Sequence, residues 1–153
     1  MTFLAINEVW EWCRTRHVPL DANRRPPPMS GPDTLFEFGN GQAVEHEQAV
    51  QVARRCIDSL GSWDECLLWI TAWGIWPSSE DWPTFYAARG SRGERRSLSD
   101  APGHVFASAE ADALETFLTL VIEQGWDAEL LIAPNPNVVR RLFLSHDGWV
   151  QRA

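Results

Sequence analysis

The chain contains no lysine, a single tyrosine and only three cysteines among its 153 residues. Its 13 basic residues are therefore all arginines, and 21 acidic residues outnumber them, which gives a formal net charge of −8. A protein with this charge is repelled by nucleic-acid phosphates and by anionic membrane surfaces. We therefore expect neither a nucleic-acid partner nor membrane association.

The cysteine pattern and the absence of known catalytic motifs exclude several classes of protein. Cys13, Cys56 and Cys66 are odd in number and widely spaced, which argues against a disulfide framework and against a zinc site. Apolar residues flank each of them, so we expect buried, reduced thiols. The chain also lacks a phosphate-binding loop, a Gly-x-Ser-x-Gly elbow and an HExxH helix. No metal and no cofactor are predicted.

No apolar run in the chain is long enough to cross a bilayer, and the first residues lack the pattern of a signal peptide. We therefore expect a cytoplasmic protein. A length of 153 residues favours one domain, and a hydrophobic content of 44% is sufficient for a core.

The last third of the chain has the clearest pattern and begins with a predicted helix over 108–124. Ser108 is a suitable N-cap, and Gly125 is placed to end the helix in a left-handed conformation. The apolar positions follow helical spacing and are Leu114, Phe117, Leu118, Val121 and Ile122. This face is predicted to pack on a sheet.

A change of period after Gly125 predicts strands. Residues 126–132 alternate between apolar and polar, the segment Pro134-Asn135-Pro136-Asn137 is typical of a turn, and residues 138–145 alternate again. Asp147-Gly148 predicts a tight turn before a short strand at Trp149. A hairpin alone is unstable in water, so we expect the preceding helix to cover it.

This C-terminal pattern resembles the tail of small bacterial α/β proteins. The residues that carry the resemblance are Gly125-Trp126-Asp127, Leu130, and Phe143-Leu144-Ser145-His146-Asp147, with Ala101-Pro102-Gly103-His104 and Phe106 ahead of the helix. The resemblance covers the last third of the chain and implies a compact single domain. It implies no activity, so no catalytic residue follows from it.

The first two thirds predict further helices, strands and connections. Helices are predicted over about 3–17, 43–60 and 79–88, with a proline-rich linker at 21–33 and a mobile basic loop at 89–100. The apolar run around 66–73 has large residues of both parities, which favours a central strand covered on both faces. A buried helix is the alternative, because periodicity alone cannot exclude it.

These elements predict a single α+β domain, with about five strands in a largely antiparallel or mixed sheet and three to four helices. The predicted strands are Thr34–Phe38, Cys66–Trp73, Val105–Phe106, Asp127–Ala133 and Val138–Ser145. The segment at Trp149 can add a sixth.

Ser145, His146 and Asp147 are the best candidates for catalysis. Neighbours on a strand face opposite sides, however, so three adjacent residues cannot readily converge as a triad. We interpret them as turn residues that hydrogen-bond locally, and we predict no catalytic residue. A non-enzymatic function is favoured.

The charge pattern favours a protein partner. No basic residue lies between Arg96 and Arg140, and the predicted helix in this span has an acidic outer face with Glu110, Asp112 and Glu115. Together with Trp12 and Trp82, which we expect to be accessible, these residues predict a surface for a basic partner protein. A face that only maintains solubility is the alternative reading.

Three functions therefore remain open from the sequence. The leading hypothesis is a bacterial interaction domain of the immunity or antitoxin kind, which blocks its partner by surface complementarity. The second is a small-ligand binder or enzyme with a tryptophan-lined pocket. The third is a phage-type inhibitor that mimics the charge of a nucleic acid. The oligomeric state is left open by the sequence.

Overall fold

Seven strands form one sheet in the part of the chain that the computed structural model describes, which comprises residues 1–29, 33–39, 44–74, 82–135 and 138–152. The strands are β1 (Thr2–Leu4), β2 (Asp33–Glu37), β3 (Glu65–Ala72), β4 (Gly103–Ala107), β5 (Asp127–Asn135), β6 (Val138–Ser145) and β7 (Trp149–Arg152). Their order across the sheet is β1-β4-β3-β5-β6-β7-β2, and every neighbouring pair is antiparallel.

Four α-helices accompany this sheet in the described residues: α1 (Ile6–Thr15), α2 (His46–Leu60), α3 (Trp82–Ser91) and α4 (Ala111–Glu123). The predicted α+β class is confirmed, but the sheet has seven strands rather than about five. None of the helices found in the described residues combines the length and apolar character needed to cross a membrane.

The first face of the sheet packs against α2 and α4 and contains most of the core. The predicted apolar face of α4 is confirmed, because Leu114, Phe117, Leu118 and Val121 are all at most 2% exposed. Facing them from the sheet are buried side chains of five strands: Cys66, Leu68, Ile70, Phe106, Ala128, Leu130, Ile132, Leu142, Leu144 and Val150. Each large apolar side chain removed from water in this way contributes about 1.5–3 kcal/mol.

The strand β3 has buried side chains on both faces, as predicted. Leu68 belongs to the first face, whereas Leu67 and Trp69 belong to a second cluster on the opposite face. Helix α1 covers this second cluster with Val9, Trp12 and Cys13. The sheet is therefore covered by helices on both sides at β3.

The prediction of one helix from residue 3 to 17 is wrong at its start. Thr2–Leu4 forms the edge strand β1, with Phe3 opposite His104 of β4, and α1 begins only at Ile6. The Glu8 carboxylate accepts the Ala5 N–H at 2.7 Å, which caps the helix after the strand. Pairing with β4 thus outweighs the helical pattern of these residues.

The start of the last helix also differs from the prediction, whereas its end agrees with it. Ser108 does not cap the helix through its side chain; instead the Glu110 carboxylate accepts the Ala107 N–H at 3.0 Å. At the other end Gly125 has φ +61°, and the Trp126 N–H donates to the Val121 carbonyl at 3.2 Å. These features are typical of a left-handed glycine C-cap.

Burial and hydrogen bonds define parts of the two predicted connections. Arg89 lies within α3 and is 0% exposed, so its assignment to an exposed basic loop is wrong; Glu94 is also buried, at 6% exposed. In the proline-rich segment, the Asp21 carboxylate accepts the N–H groups of Asn23 and Arg25 at 2.8 and 2.9 Å. Residues 30–32 and 40–43 of the chain, and the predicted helix start at 79–81, lie outside the described residues.

Candidate functional site: an open half of the second sheet face

The second face of the sheet divides into two halves. In the covered half, α1 buries Leu67, Trp69, Val105 and Leu131. The open half consists of Thr71 of β3, Glu129 of β5, Arg141 and Phe143 of β6, and Trp149 and Gln151 of β7, which together line a groove of about 420 Å³. Residues Arg25, Pro26, Pro28 and Met29 of the proline-rich segment line the same groove.

A buried ion pair lies in the open half. Arg141 donates from Nε and Nη2 to the two carboxylate oxygens of Glu129 at 2.7 and 2.6 Å, and the Glu129 side chain is only 5% exposed. The third donor of Arg141, Nη1, binds the Pro27 carbonyl at 2.6 Å. Burial raises the pKa of the Glu129 carboxyl, although the adjacent Arg141 guanidinium opposes this rise. The pair therefore fastens the proline-rich segment to the sheet.

Two aromatic rings lie beside this ion pair. The ring centroids of Phe143 and Trp149 are 5.4 Å apart at an interplanar angle of 59°, and both side chains are half-buried. Gln151 is the cross-strand partner of Phe143, and Glu37 of the edge strand β2 is opposite Trp149. The open half thus offers an aromatic surface next to a fixed charge pair, with an exposed carboxylate beside it.

The three catalytic candidates, Ser145, His146 and Asp147, take part in two hydrogen-bonded pairs. The Nδ1 of His146 is 2.7 Å from the Asp127 carboxylate, which also accepts the His146 backbone N–H at 2.7 Å. The Ser145 hydroxyl accepts the Asp147 N–H at 3.2 Å. The predicted local turn is therefore present at Ser145. The partner of His146 on Nδ1, however, is Asp127 from a neighbouring strand.

A second cavity, of about 280 Å³, lies where the two halves of the face meet. Three tryptophans line it. Trp10 belongs to α1, Trp69 belongs to β3, and Trp73 directly follows β3. The loop at 23–25 closes one side with Asn23, Arg24 and Arg25, and Arg25 also lines the groove of the open half. This cavity is termed the tryptophan cavity below.

The acidic residues predicted to meet a partner are largely engaged within the chain. Glu110 binds the N-terminal ammonium group and caps Ala107, while Glu115 accepts Nε of Arg54 at 3.1 Å through both carboxylate oxygens. Asp112 is exposed on the first turn of α4. The partner role of these residues stays a prediction, and Asp112 is the member of the set with an exposed side chain.

The predicted aromatic anchors differ from expectation. Trp12 is only 6% exposed, so the expectation that it is accessible is wrong. Its Nε1 donates to Glu65 at 2.6 Å, and the Arg16 guanidinium lies 4.5 Å from its ring centroid. This polar cover explains how a residue off the apolar stripe of α1 is buried. Trp82 is the first residue of α3, and its side chain lies outside what the structure describes.

The three cysteines and His104 are buried and do not line the groove. Burial raises the pKa of the Cys13 and Cys56 thiols to about 12, and all three cysteines are free and buried, as predicted. Burial lowers the pKa of His104 to about 3, and this side chain is 0% exposed. Among the described residues, no group of three His, Cys, Asp or Glu side chains could hold a metal ion.

The sequence alone does not reveal the open half, because its residues are distant in the chain. Glu129 and Arg141 become neighbours only through the register that pairs Glu129 with Phe143 and Leu131 with Arg141. The one available signal was parity, because Val139, Arg141 and Phe143 share a face of β6 that mixes charge with apolar residues. Comparison of the chain with protein-family models, curated proteins and solved structures gave no match, so a function must be inferred from this geometry.

Proposed function

We propose that this protein is a non-enzymatic interaction domain that binds a basic partner protein through the open half of the second sheet face. The observation that supports this proposal is the pair Phe143 and Trp149, half-buried side by side in a groove. Aromatic side chains that pack into a partner while fixed polar groups surround them provide most of the affinity of many interfaces. The groove is open and extended, so it suits a polypeptide segment better than a fully enclosed small molecule.

The charges around the aromatic pair favour a basic partner. Glu37 is exposed and lies opposite Trp149, and the Asp147 side chain in the adjoining turn is 59% exposed. The whole chain adds a formal net charge of −8. Complementary charge mainly accelerates association and selects partners, whereas the aromatic contacts hold the complex together. In this proposal Glu110, directly before α4, and Asp112 and Glu115 on α4 contribute to the long-range field rather than to the contact.

The leading concrete form of this function is an inhibitor of the immunity or antitoxin kind. Such a protein needs a rigid, complementary surface and no chemistry of its own. Here the surface is built on β6 and β7 and is fixed from below by the ion pair of Glu129 and Arg141. The alternative of a nucleic-acid mimic receives less support, because Glu115 and Glu123 are paired with Arg54 and His46 instead of forming a free row of charges.

The experiment is capture of partners from a lysate of the native host, followed by association kinetics with the purified partner. We expect Trp149→Ala to weaken binding at least about tenfold, as for a residue at the centre of an interface. Trp63→Ala is the matched control, because Trp63 is also half-buried but lies outside the groove. Reversal of Glu37 and Asp147 to Lys should slow association and reduce its salt dependence.

Two results would contradict the proposal. One is a captured partner that binds Trp149→Ala and the wild type with equal affinity. The other is a partner without a basic surface whose association rate does not depend on salt.

A further inference from the structure

The tryptophan cavity combines ring surfaces with cationic and hydrogen-bonding groups. Its walls carry Trp10, Trp69 and Trp73, whose indole rings supply apolar surface against which a planar ring can pack. Its polar lining consists of Asn23, Arg24, Arg25, Thr71 and Ser99. No acidic residue is part of the lining among the described residues, although the chain carries 21 of them.

Arg24 is placed to present donors at this cavity. Its guanidinium carbon lies 4.4 Å from the ring centroid of Trp10, a contact in which cation–π attraction holds the group against the indole. A guanidinium held on an aromatic ring still has N–H donors that can bind a carboxylate or phosphate with two hydrogen bonds.

The backbone of Arg24 is held in an unfavourable conformation. Its φ is +58°, in the left-handed region that residues with a Cβ seldom adopt. The loop is braced by Asp21, whose carboxylate accepts two backbone N–H groups and whose own N–H donates to the Arg25 carbonyl at 2.8 Å. These hydrogen bonds define the backbone conformation of the loop at Arg24.

Ion pairs involve about half of the arginines. In the described residues six arginines have a carboxylate partner: Arg14, Arg16, Arg54, Arg96, Arg141 and Arg152. The other seven do not, and of these Arg24 and Arg25 line the tryptophan cavity. Arg24 and Arg25 have no carboxylate partner in the described part of the chain, and both are exposed. An acidic protein thus keeps two adjacent cations unpaired at the mouth of one cavity, where they attract anions locally.

We propose that the tryptophan cavity is a binding site for a small ligand that joins a planar ring to one carboxylate or phosphate group. The ring stacks among Trp10, Trp69 and Trp73, and the anionic group binds Arg24 and Arg25. Asn23, Thr71 and Ser99 supply hydrogen bonds to polar edges of the ring. A volume of about 280 Å³ suits a ligand of one or two rings.

This site is separate from the proposed protein-binding groove, although Arg25 and Thr71 line both. The aromatic pair Phe143 and Trp149 belongs to the groove alone. A ligand can therefore bind here whether or not the protein has a macromolecular partner, and the two proposals fail independently.

Isothermal titration calorimetry at low salt tests the site with four probes. Adenosine monophosphate and indole-3-acetate each carry a ring and an anion, adenosine carries the ring alone, and inorganic phosphate carries the anion alone. We expect at least one ring-bearing anion to bind at least about tenfold more tightly than adenosine and phosphate, since a charge-assisted contact contributes about that factor. Binding of only the nucleotide or only the carboxylate identifies which anion the site takes.

The decisive variant is Arg24→Gly, because it removes the whole side chain with its guanidinium while glycine accepts the left-handed backbone of this position. We expect it to weaken the tighter ring-bearing anion about tenfold. Arg95→Ala is the matched control, since it removes the positive charge of another exposed arginine that does not line the cavity. Trp10→Leu should abolish binding, and its thermal melting curve shows whether the fold persists.

Three results would overturn the proposal. The first is that neither ring-bearing anion binds at millimolar concentration, and the second is that adenosine binds as tightly as its monophosphate and indole-3-acetate. The third is that Arg24→Gly and Arg95→Ala lose the same amount of ligand affinity.

Discussion

The covered and open halves of the second sheet face differ in what shields them from water. In the covered half, α1 supplies Val9, Trp12 and Cys13, and the sheet residues beneath it include Leu67 and Leu131, both 0% exposed. In the open half no helix of the described residues covers the sheet, and the irregular proline-rich segment reaches it through the hydrogen bond from Arg141 to the Pro27 carbonyl. The covered half is apolar because α1 shields it from water. The open half is partly exposed, and it combines aromatic side chains with charged groups that are hydrogen-bonded to each other.

The difference indicates that stability and recognition depend on different surfaces of the protein. The helix-covered surfaces supply hydrophobic free energy and tolerate little change. The open half retains half-buried side chains whose remaining surface is free for a partner or ligand. Each of the following predictions tests one side of this contrast.

The largest effect is expected from Phe117→Ala in α4, which covers the first face of the sheet. Phe117 is 2% exposed and contacts the rings of Phe3, Phe85 and Phe106. Loss of a buried aromatic side chain should reduce the free energy of unfolding by about 3–5 kcal/mol. Phe143→Ala in the open half is the matched comparison and should cost about 1 kcal/mol. Urea denaturation of both variants measures the contrast, and equal losses would show that the open half belongs to the core.

A somewhat smaller effect is expected from Arg141→Ala in the open half. This change leaves the Glu129 carboxylate buried without its partner and releases the Pro27 carbonyl, so it should cost about 3 kcal/mol near pH 7. The double variant Arg141→Met with Glu129→Gln should recover most of this loss, because it removes the buried charge as well. Chemical denaturation decides the matter: a double variant as unstable as the single one would mean that packing, not charge, dominates here.

The two sides should also respond to pH with opposite sign. The pKa of buried His104 is lowered to about 3, so its contribution to stability is present above the ordinary value near 6.5 and is lost as the pH falls toward 3. The expected slope is about 1.4 kcal/mol per pH unit below 6.5. The raised pKa of Glu129 acts in the other direction, since its contribution is present below 4.5 and is lost as the pH rises through its folded-state value.

Unfolding free energies measured between pH 7 and 5 check the first of these effects. The His104→Phe variant, which places an apolar ring among Phe3, Phe85 and Phe117, should lack the slope seen in the wild type. A variant with the same slope would assign the pH dependence to another group.

The smallest effect is expected from thiol reagents. Cys13, Cys56 and Cys66 are all buried, and burial raises the pKa of each thiol, so the native protein should not react within hours at pH 8. When the protein is loosened by mild denaturant, Cys13 should react first, because the single helix α1 covers it, whereas Cys56 and Cys66 lie in the larger core of the first face. Mass spectrometry of the labelled chain gives the order, and simultaneous labelling would indicate that α1 does not open separately.

The elements with strong periodicity were predictable from the sequence, and those created by tertiary contacts were not. The face of α4, its end at Gly125 and the two-sided burial of β3 follow from local patterns. The three residues of β1 are too few to show a period, and they form a strand only because β4 accepts them as an edge. Trp12 is buried by its bond to Glu65, a contact between residues 53 positions apart.

The candidate sites were less predictable than the fold. The residues that line the tryptophan cavity come from α1, β3 and two loops, and no spacing in the sequence predicts that they lie together. The acidic residues around α4 are visible in the sequence, but the pairing of Glu115 with Arg54 requires the packing of α2 on α4. Charge counted along a chain therefore overstates the charge that remains free on a surface.

The turn at Gly148 has a consequence for how this chain folds. Gly148 has φ +86°, its carbonyl accepts the N–H groups of Phe38 and Gly39, and a side chain here would collide with the carbonyl of Gly39. The edge strand β2, made early in synthesis, is thus secured by residues made among the last. Until the β6–β7 hairpin has emerged from the ribosome, β2 has no partner, and β1 must likewise wait for β4. Both edge strands therefore depend on pairings between residues far apart in the chain, which should make folding slow and leave the nascent chain dependent on protection from aggregation.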